Sequence, residues 1–278
     1  MRYARCIHRG ASVRLADIDP SEHCGLSREE AADISRTLGD QLADLADLLF
    51  AAGKHGLLVV IQGRDTAGKD GIIRRLLGYV NAQSCRVVPF KVPTEPELQH
   101  DFLWRVHARV PGRGEIALFN RSHYEDVLVV RVHDLVPKAV WERRYDHINA
   151  FEDLLLDSDT IIVKLMLHIS KDEQEERLLE REREIEKSWK LNIGDWKERE
   201  FWDAYTEAYE EVFRRCSTKR APWFVIPSNH KWFRDVAALE CIVSALEPHG
   251  AEWLEFLSDM GQTRRRELEA FRASLKHA

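Results

Sequence analysis

The sequence predicts an α/β fold in which helices cover both faces of a parallel five-stranded sheet. Apolar, β-branched runs alternate with helix-like segments along the chain, which is typical of a parallel sheet whose crossover connections are helices. A glycine-rich loop separates the first apolar run from the helix that follows it. With 278 residues, of which 44% are hydrophobic, the chain is long enough for one large domain with a sizeable core.

The first helix is expected to follow an irregular, polar N-terminal segment that covers residues 1–26. Ser27 and Glu30 have the spacing of a capping box and therefore begin a helix. Apolar residues at helical spacing predict the buried stripe of this helix. The stripe consists of Ile34, Leu38, Leu42, Leu45 and Leu49.

Strand and helix patterns alternate through the rest of the chain. The run Leu57-Leu58-Val59-Val60-Ile61 is typical of a buried strand, and a helix-like segment follows from about residue 69 to 80. Pro93 and Pro96 are placed to begin another helix, and the turn at residues 111–114 precedes the third strand. The predicted strands cover residues 57–62, 85–90, 115–119, 160–169 and 223–227. The later helices are expected in two stretches within 122–157, then from the capping residue Ser170 to about 186, from 195 to about 216, at 231–247 and at 251–276.

This pattern predicts one main domain. We expect residues 27–248 to form it, and residues 249–278 to form a C-terminal amphipathic helix.

The loop after the first strand has the pattern Gly-x-x-x-x-Gly-Lys, which indicates phosphate binding when it lies between a strand and a helix. Its glycines let backbone N–H groups turn toward one anion, the following helix offers its positive end, and Lys69 adds a point charge. The other candidate phosphate-binding residues here are Gly63, Arg64, Thr66, Ala67, Gly68, Asp70 and Gly71. Such a loop after the first strand predicts a three-layer P-loop kinase-like fold, with ligands at the carboxyl ends of the strands.

Acidic residues in the same loop suggest a metal site. Asp70 directly follows Lys69, where Ser or Thr would normally hold magnesium, and Asp65 lies inside the loop. The two carboxylates therefore suggest that acidic side chains, rather than a hydroxyl group, hold the metal in this loop.

The end of the third strand is the second candidate region, because it should lie beside the loop. Asn120 and Arg121 would face the phosphates there, with Glu125 and Asp126 one turn further along. Arg121 can bind two phosphate oxygens with its planar guanidinium. The alternative is a solvated arginine next to a helix cap at Ser122.

Charge and cysteine content restrict the class of protein. The net charge is −6, yet residues 54–133 contain twelve Lys or Arg against eight Asp or Glu, so positive charge is concentrated around the loop. The odd number of cysteines, five, without paired metal spacing argues against disulfides and zinc. Without a hydrophobic signal region or a membrane-length apolar run, we expect a cytoplasmic protein that binds neither membranes nor nucleic acid.

Three motifs together resemble the polyphosphate kinase 2 family. They are Gly63-x-Asp65-x-x-Gly68-Lys69-Asp70-Gly71, the run from Phe119 to Val127, and Lys187-Ser188-Trp189-Lys190. The similarity extends from about residue 30 to about 248. The family uses inorganic polyphosphate to phosphorylate nucleotides, reversibly and with magnesium. Asn120 combined with Glu125-Asp126 looks like the branch that accepts nucleoside monophosphates as well as diphosphates.

The resemblance implies roles for individual residues. Asp65, Lys69, Arg121, Glu125 and Arg181 would carry catalysis. Asp65 and Glu125 would also hold Mg²⁺, with Mn²⁺ as an alternative metal. Polyphosphate supplies an activated phosphoryl group, so the reaction needs alignment and charge neutralisation rather than a protein nucleophile.

Further cations are candidates for holding the polyphosphate chain. Arg74 and Arg75 lie one turn into the helix after the loop, and at least one of them is as readily a solvated residue. The resemblance also implies a helical lid at about residues 181–197. In this predicted lid, Arg181 has the family's spacing to the Lys187 motif, and Lys187 and Lys190 can close over phosphates. The alternative is a surface helix with Glu–Arg pairs four residues apart.

The expected partners are inorganic polyphosphate and AMP, ADP or ATP, with guanine nucleotides as a further option. The resemblance also implies a homo-oligomer, either a tetramer or a dimer. Two other functional classes remain open at this point: an ATP-dependent nucleoside monophosphate kinase, and a nucleotide-binding regulatory P-loop protein.

Overall fold

A six-stranded sheet forms the centre of the computed structural model, which describes residues 2–275 apart from the side chains of Lys187 and Lys190. The strands are β1 (Arg5–Ile7), β2 (Gly56–Gly63), β3 (Cys85–Pro89), β4 (Ile116–Asn120), β5 (Thr160–His168) and β6 (Trp223–Pro227). Their order across the sheet is β1-β6-β5-β2-β4-β3. All neighbouring pairs are parallel except β1, which is antiparallel to β6.

The prediction of five strands is therefore wrong by one. The N-terminal segment is not wholly irregular, because Arg5, Cys6 and Ile7 pair with Val225, Phe224 and Trp223. A three-residue strand is too short to show the period-two pattern by which strands are recognised. Its pairing partner lies near the other end of the chain, so no local signal reveals it.

Helices cover both faces of the sheet. They are α1 (Arg28–Ala52), α2 (Lys69–Leu77), α3 (Glu95–Leu98), α4 (Trp104–His107), α5 (Val129–Val132), α6 (Lys138–Asp157), α7 (Lys171–Arg183), α8 (Ile193–Lys197), α9 (Trp202–Cys216) and α10 (Lys231–Leu275). Short 3₁₀ turns occur at Leu15–Asp17, His123–Asp126, Ile185–Lys190 and Glu198–Phe201. Helices α6 and α9 pack on one face, and α1, α2 and α10 pack on the other.

The central strand β2 is buried along its whole length. Leu58 and Val60 point into one core, whereas Leu57, Val59 and Ile61 point into the other. This alternation follows from the period of two along a strand, and it accounts for the continuous apolar run in the sequence. The three-layer α/β fold is thus confirmed.

Helix α1 begins as predicted but turns a different face to the core. The Ser27–Glu30 capping box is present, and Leu42 and Leu49 are buried as expected. Ile34, Leu38 and Leu45 are only partly buried. The other buried positions are Ala31, Ser35, Gly39, Ala46 and Ala52. Small residues occupy this face because neighbours come very close: a Cβ at Gly39 would lie 2.1 Å from the ring of Tyr79.

Two further helix predictions need correction. The single helix expected after Pro93 is instead the two short helices α3 and α4. The two helices expected on either side of Pro248 are one continuous helix, α10. Proline removes one backbone hydrogen bond without necessarily ending a helix.

The last residues of the predicted C-terminal helix, 276–278, lie outside the described range. Within that range, no helix has the length and apolarity needed to cross a membrane.

Candidate active site

The candidate site lies at the carboxyl ends of β2, β4 and β5. Ile61 pairs with Asn120 across β2 and β4, so the loop after β2 and the end of β4 meet at one edge of the sheet. A cleft of about 320 Å³ opens there. Its lining includes Gly63, Asp65, Arg121 and Glu125 from the sheet side. Helices α7 and α8, with the N-cap of α8 and the 3₁₀ turn after it, contribute Gln174, Asn192, Asp195 and Glu198. The aromatic wall is formed by Trp202, Tyr205 and Tyr209.

The phosphate loop has the backbone that its glycines predict. Gly63 and Gly68 have φ values of 152° and 103°, and Thr66 has a φ of 66°. Gly68 is also required by close packing, because a Cβ there would lie 1.9 Å from Nη1 of Arg234. The loop therefore ends at Lys69 with its N–H groups at the start of α2.

Lys69 is buried and points back over the loop. Its Nζ donates to the carbonyl oxygens of Gly63 at 2.7 Å and Arg64 at 3.0 Å. Burial, together with the nearby Arg121 cation, lowers the pKa of Lys69 to about 8. Most of the population is still cationic at neutral pH.

Arg121 joins the two candidate carboxylates. Its Nη2 lies 2.6 Å from Oδ1 of Asp65, and its Nη1 lies 3.3 Å from Oε2 of Glu125. Gln62 donates to the other oxygen of Glu125 at 3.0 Å. Burial alone would raise the pKa of Asp65, but Lys69 and Arg121 hold the pKa below its ordinary value. Asp65 is therefore a carboxylate at neutral pH.

The turn that carries Glu125 is fixed from below by a buried network. The hydroxyl of Tyr124 donates to Glu152 at 2.7 Å, and Nζ of Lys164 donates to the other oxygen of Glu152 at 2.6 Å. His123 lies 3.3 Å from the same carboxylate. With its neighbours anchored in the core, the 3₁₀ turn leaves Glu125 facing the cleft.

Two neighbours of these residues also have defined partners. Asn120 donates to Oδ1 of Asp70 at 2.9 Å, which ties the end of β4 to the start of α2. Asp126 is buried against Arg144, whose Nη1 lies 2.8 Å from Oδ1. Burial raises the pKa of Asp126 to about 6.

The guanidinium of Arg64 contacts helix α9 instead of the phosphate loop. It stacks over the ring of Trp202 at 3.8 Å and donates to the backbone oxygen of Trp202 at 2.9 Å and to Thr206. Burial lowers the pKa of Arg64 to about 10. The side chain therefore connects the loop to α9, and only the backbone of Arg64 is turned toward the loop.

The other candidate cations lie in three places. Nη1 of Arg181 from α7 donates to Asp195 of α8 at 2.9 Å, and both residues lie in the predicted lid. Arg74 and Arg75 are exposed beside a separate cavity of about 450 Å³, where Arg75 lies 3.8 Å from Asp235. Lys187 and Lys190 lie on the 3₁₀ turn of the predicted lid, but their side chains are outside the part of the chain that the structure describes.

Three residues support the loop without having been singled out from the sequence. Arg177 of α7 donates to the carbonyl oxygens of Thr66 at 2.9 Å and Ser228 at 2.7 Å, and Gln174 donates to that of Asp65 at 3.1 Å. Arg234 at the start of α10 packs against Gly68 and Gly71. Arg177 and Gln174 lie in a highly charged helix, where nothing in the local sequence distinguishes them from their neighbours. Arg234 lies in the run Lys231-Trp232-Phe233-Arg234, which also resembles the polyphosphate kinase 2 family, and this resemblance was the one available signal.

Comparisons with known proteins agree with this geometry. A family model described as "Polyphosphate kinase 2 (PPK2)" matches residues 25–252. The "AMP/ADP-polyphosphate phosphotransferase" of Meiothermus ruber is 51% identical over 235 residues, which cover 84% of this chain and 88% of the relative. An "ADP-polyphosphate phosphotransferase" of Rhodopseudomonas palustris is 42% identical and covers 80% of this chain and 81% of its own length.

Solved structures give the same result. The crystal structure of polyphosphate kinase 2 from Arthrobacter aurescens TC1 superposes with a TM-score of 0.85 at 40% identity, covering 89% of this chain and 91% of the other. The family model spans most of the sequence, including the phosphate loop, the end of β4 and residues 181–197. The chain belongs to the polyphosphate kinase 2 family.

Proposed function

We propose that this protein transfers the terminal phosphoryl group of inorganic polyphosphate to AMP and ADP, forming ADP and ATP in a reversible reaction. The observation that carries the proposal is the row Asp65–Arg121–Glu125 beside Lys69 at the end of the sheet. It combines two cations for phosphates with two carboxylates for a metal. The relatives named as AMP/ADP- and ADP-polyphosphate phosphotransferases support the same reaction.

The carboxylate pair fits a hard divalent cation such as Mg²⁺, with Mn²⁺ as an alternative. Asp65 is ionised, and both Asp65 and Glu125 contact Arg121. Mg²⁺ prefers carboxylate and phosphate oxygens as ligands. Asp65 and Glu125 would hold the ion. When bound, the metal would neutralise charge on the transferring phosphate and the acceptor phosphate.

The remaining groups of the site hold and orient phosphates. The N–H groups of residues 63–71 and the ammonium of Lys69 would bind the phosphoryl group being transferred, and Arg121 would neutralise its equatorial oxygens. Arg74 and Arg75 lie further along α2 and would bind the polyphosphate chain that extends away from the loop. No nucleophilic side chain is needed, because the acceptor phosphate attacks directly.

The aromatic wall of the cleft suits the acceptor nucleoside. Trp202, Tyr205 and Tyr209 line one side, and Leu128 and Val129 line the side nearer Glu125. Apolar and aromatic walls with a few polar groups are typical of nucleoside pockets. We extend the proposal to guanine nucleotides, to a homo-oligomer, which the family resemblance implies, and to the cytoplasmic location expected from the sequence.

The choice of phosphoryl donor tests the function. Purified protein should convert AMP to ADP and ADP to ATP with polyphosphate, whereas ATP should fail to phosphorylate AMP. The Lys69→Ala variant, purified identically, controls for contaminating kinases. Turnover with ATP at a rate equal to that with polyphosphate would instead identify an ATP-dependent monophosphate kinase, and no turnover with either donor would identify a regulatory P-loop protein.

Glu125 should matter more for AMP than for ADP. We expect Glu125→Asn to lower kcat/KM for AMP about tenfold more than kcat/KM for ADP, because AMP has a single phosphate, which the cation held by Glu125 would position. Steady-state kinetics on both acceptors measure this. Glu207→Asn, on the exposed side of α9, is the matched control. Equal losses on both acceptors would assign Glu125 to general metal binding.

The lowered pKa of Lys69 predicts an alkaline loss of polyphosphate use. The ammonium is protonated below about pH 8 and loses its charge as the pH rises through that value. We therefore expect kcat/KM for polyphosphate to fall about tenfold per pH unit above pH 8. Phosphate groups do not titrate above pH 8, so they do not account for such a fall. The Lys69→Arg variant should lack the alkaline decrease, although its overall rate should be lower than that of wild type. A flat wild-type profile between pH 7 and 10 would contradict the assignment.

A further inference from the structure

The carbonyl oxygens of the phosphate loop accept hydrogen bonds from side chains one after another. Lys69 donates to those of Gly63 and Arg64. The next two carbonyl oxygens, of Asp65 and Thr66, accept from residues of helix α7. A carbonyl oxygen carries partial negative charge, so one without a donor would repel an incoming phosphate. The donors from α7 therefore complete a row that begins with the lysine of the loop itself.

Gln174 provides the donor for Asp65. Its side chain is 3% exposed, and its Nε2 lies 3.1 Å from the carbonyl oxygen of Asp65. Nη1 of Arg199 lies 3.2 Å from Oε1 of the same amide. Because arginine can only donate, Arg199 must face the oxygen of the amide, which leaves the nitrogen for Asp65. Gln174 is also the one uncharged polar residue of α7, whose other polar residues are all charged.

Arg177 provides the donor for Thr66, and its guanidinium is buried. Nη1 donates to the carbonyl oxygen of Thr66 at 2.9 Å. Nη2 donates to the carbonyl oxygens of Ser228 at 2.7 Å and Asn229 at 2.9 Å, and both of these residues directly follow β6. The planar guanidinium offers enough donors in fixed directions for all of these contacts. Arg177 thus joins the phosphate loop to the end of another strand of the sheet.

The loop backbone needs such support at this point. Thr66 is β-branched and has a φ of 66°, a left-handed conformation that is unfavourable for residues other than glycine. Such a conformation persists only where surrounding contacts fix it. In a trans peptide the carbonyl group and the following N–H point in opposite directions. The two contacts from α7 therefore fix the planes of two consecutive peptide groups.

We propose that Gln174 and Arg177 are positioning residues that hold the loop in its phosphate-binding conformation before the ligand arrives. A loop that is already ordered loses little conformational entropy on binding. Without these contacts, residues 65–67 would have to be ordered by the ligand, and polyphosphate would bind more weakly. This role rests on the proposed function, because the ligand of the loop is there assigned as polyphosphate.

Two substitutions remove the contacts at little cost in size or charge. Gln174→Met keeps an unbranched, uncharged side chain but has no donor for Asp65. Arg177→Lys keeps the positive charge but replaces the planar group with one compact ammonium. Matched controls are Gln41→Met and Arg183→Lys, which make the same changes at exposed helix positions.

Isothermal titration calorimetry with inorganic tripolyphosphate and Mg²⁺, without nucleotide, measures the effect on donor binding. We expect Gln174→Met and Arg177→Lys each to raise the dissociation constant about tenfold, as for the loss of one buried hydrogen bond. In steady-state kinetics the KM for polyphosphate should rise by a similar factor, and the KM for AMP should change much less. Both controls should behave like wild type.

Hydrogen exchange of the ligand-free proteins tests the loop itself and does not depend on which ligand the loop binds. Peptides that cover residues 63–71 should exchange faster in Gln174→Met and Arg177→Lys than in wild type, whereas peptides from β4 should not. Faster exchange throughout the molecule, with a lower midpoint of thermal unfolding in both variants, would show a packing role and overturn the proposal.

Unchanged loop exchange together with unchanged tripolyphosphate affinity would also overturn the proposal, whatever the donor of the enzyme is. A change in one variant alone would overturn the role of the other residue. Faster exchange confined to the loop, in a protein whose wild type does not bind tripolyphosphate, would support the positioning role and contradict the proposed function instead.

Discussion

Lys69→Ala and Asp65→Ala are each expected to abolish turnover, with losses of at least about a thousandfold. Lys69 is the buried cation of the phosphate loop, and Asp65 is the carboxylate held between Lys69 and Arg121. Lys69→Ala removes a positive charge that stabilises the transferring phosphate, and Asp65→Ala removes a carboxylate that would hold the metal. No other group of the site is proposed to take over either role. Steady-state assays with polyphosphate and AMP or ADP measure the loss.

The fold of both variants should remain intact, because the changed side chains lie on a ligand-binding loop above the sheet. Circular dichroism and the midpoint of thermal unfolding check this. Lys219→Ala is the matched control, since that lysine is exposed and far from the loop. Activity close to that of wild type in either loop variant would refute the assigned chemistry.

Arg181→Ala is expected to lower kcat by about a hundredfold while changing the apparent affinity for polyphosphate much less. Arg181 pairs with Asp195 in the predicted lid, and its charge contributes to the lowered pKa of Asp65. A cation that approaches the reacting phosphate on lid closure stabilises the transition state more than the ground state. Kinetics at several polyphosphate concentrations separate the two effects.

A control on the same helix distinguishes this role from a general effect of charge. Arg183→Ala removes an exposed arginine two residues away and should leave kcat within about twofold of wild type.

Lys190→Ala should mainly raise the amount of polyphosphate required. This requirement should increase with salt, because screening weakens the binding of polyphosphate by cations. If Arg181→Ala and Lys190→Ala both behave like wild type, residues 181–197 are not a lid.

The sequence was most informative where function depends on local backbone. The Gly63–Gly71 loop needs glycines at positive φ and a lysine at the start of a helix, and both requirements are visible in a few adjacent residues. The position of Asn120 and Arg121 followed from topology, because neighbouring parallel strands end at the same edge of a sheet. The site could therefore be assembled from two segments that are far apart in the chain.

Long-range contacts were the part that the sequence did not reveal. The contacts of Arg64 with Trp202, and of Arg177 with Thr66 and Ser228, join segments more than 50 residues apart. Neither arginine differs locally from its charged neighbours. Strand β1 was missed for the same reason, since only its pairing with β6 identifies it. The buried face of α1 was misjudged because close packing against Tyr79 leaves no room for a side chain at Gly39.

The stacking of Arg64 on Trp202 has a thermodynamic consequence. Arg64 belongs to the loop proposed to bind the donor, and Trp202 belongs to the wall proposed to bind the acceptor, so one cation–aromatic contact is shared by both substrate sites. A displacement of α9 on nucleotide entry would act on the loop through this contact, and a displacement of the loop would act on α9 in the same way. Linkage then requires that polyphosphate change the affinity for nucleotide by the same factor by which nucleotide changes the affinity for polyphosphate. The two substrates of this enzyme would thus regulate each other's binding before any phosphoryl group is transferred.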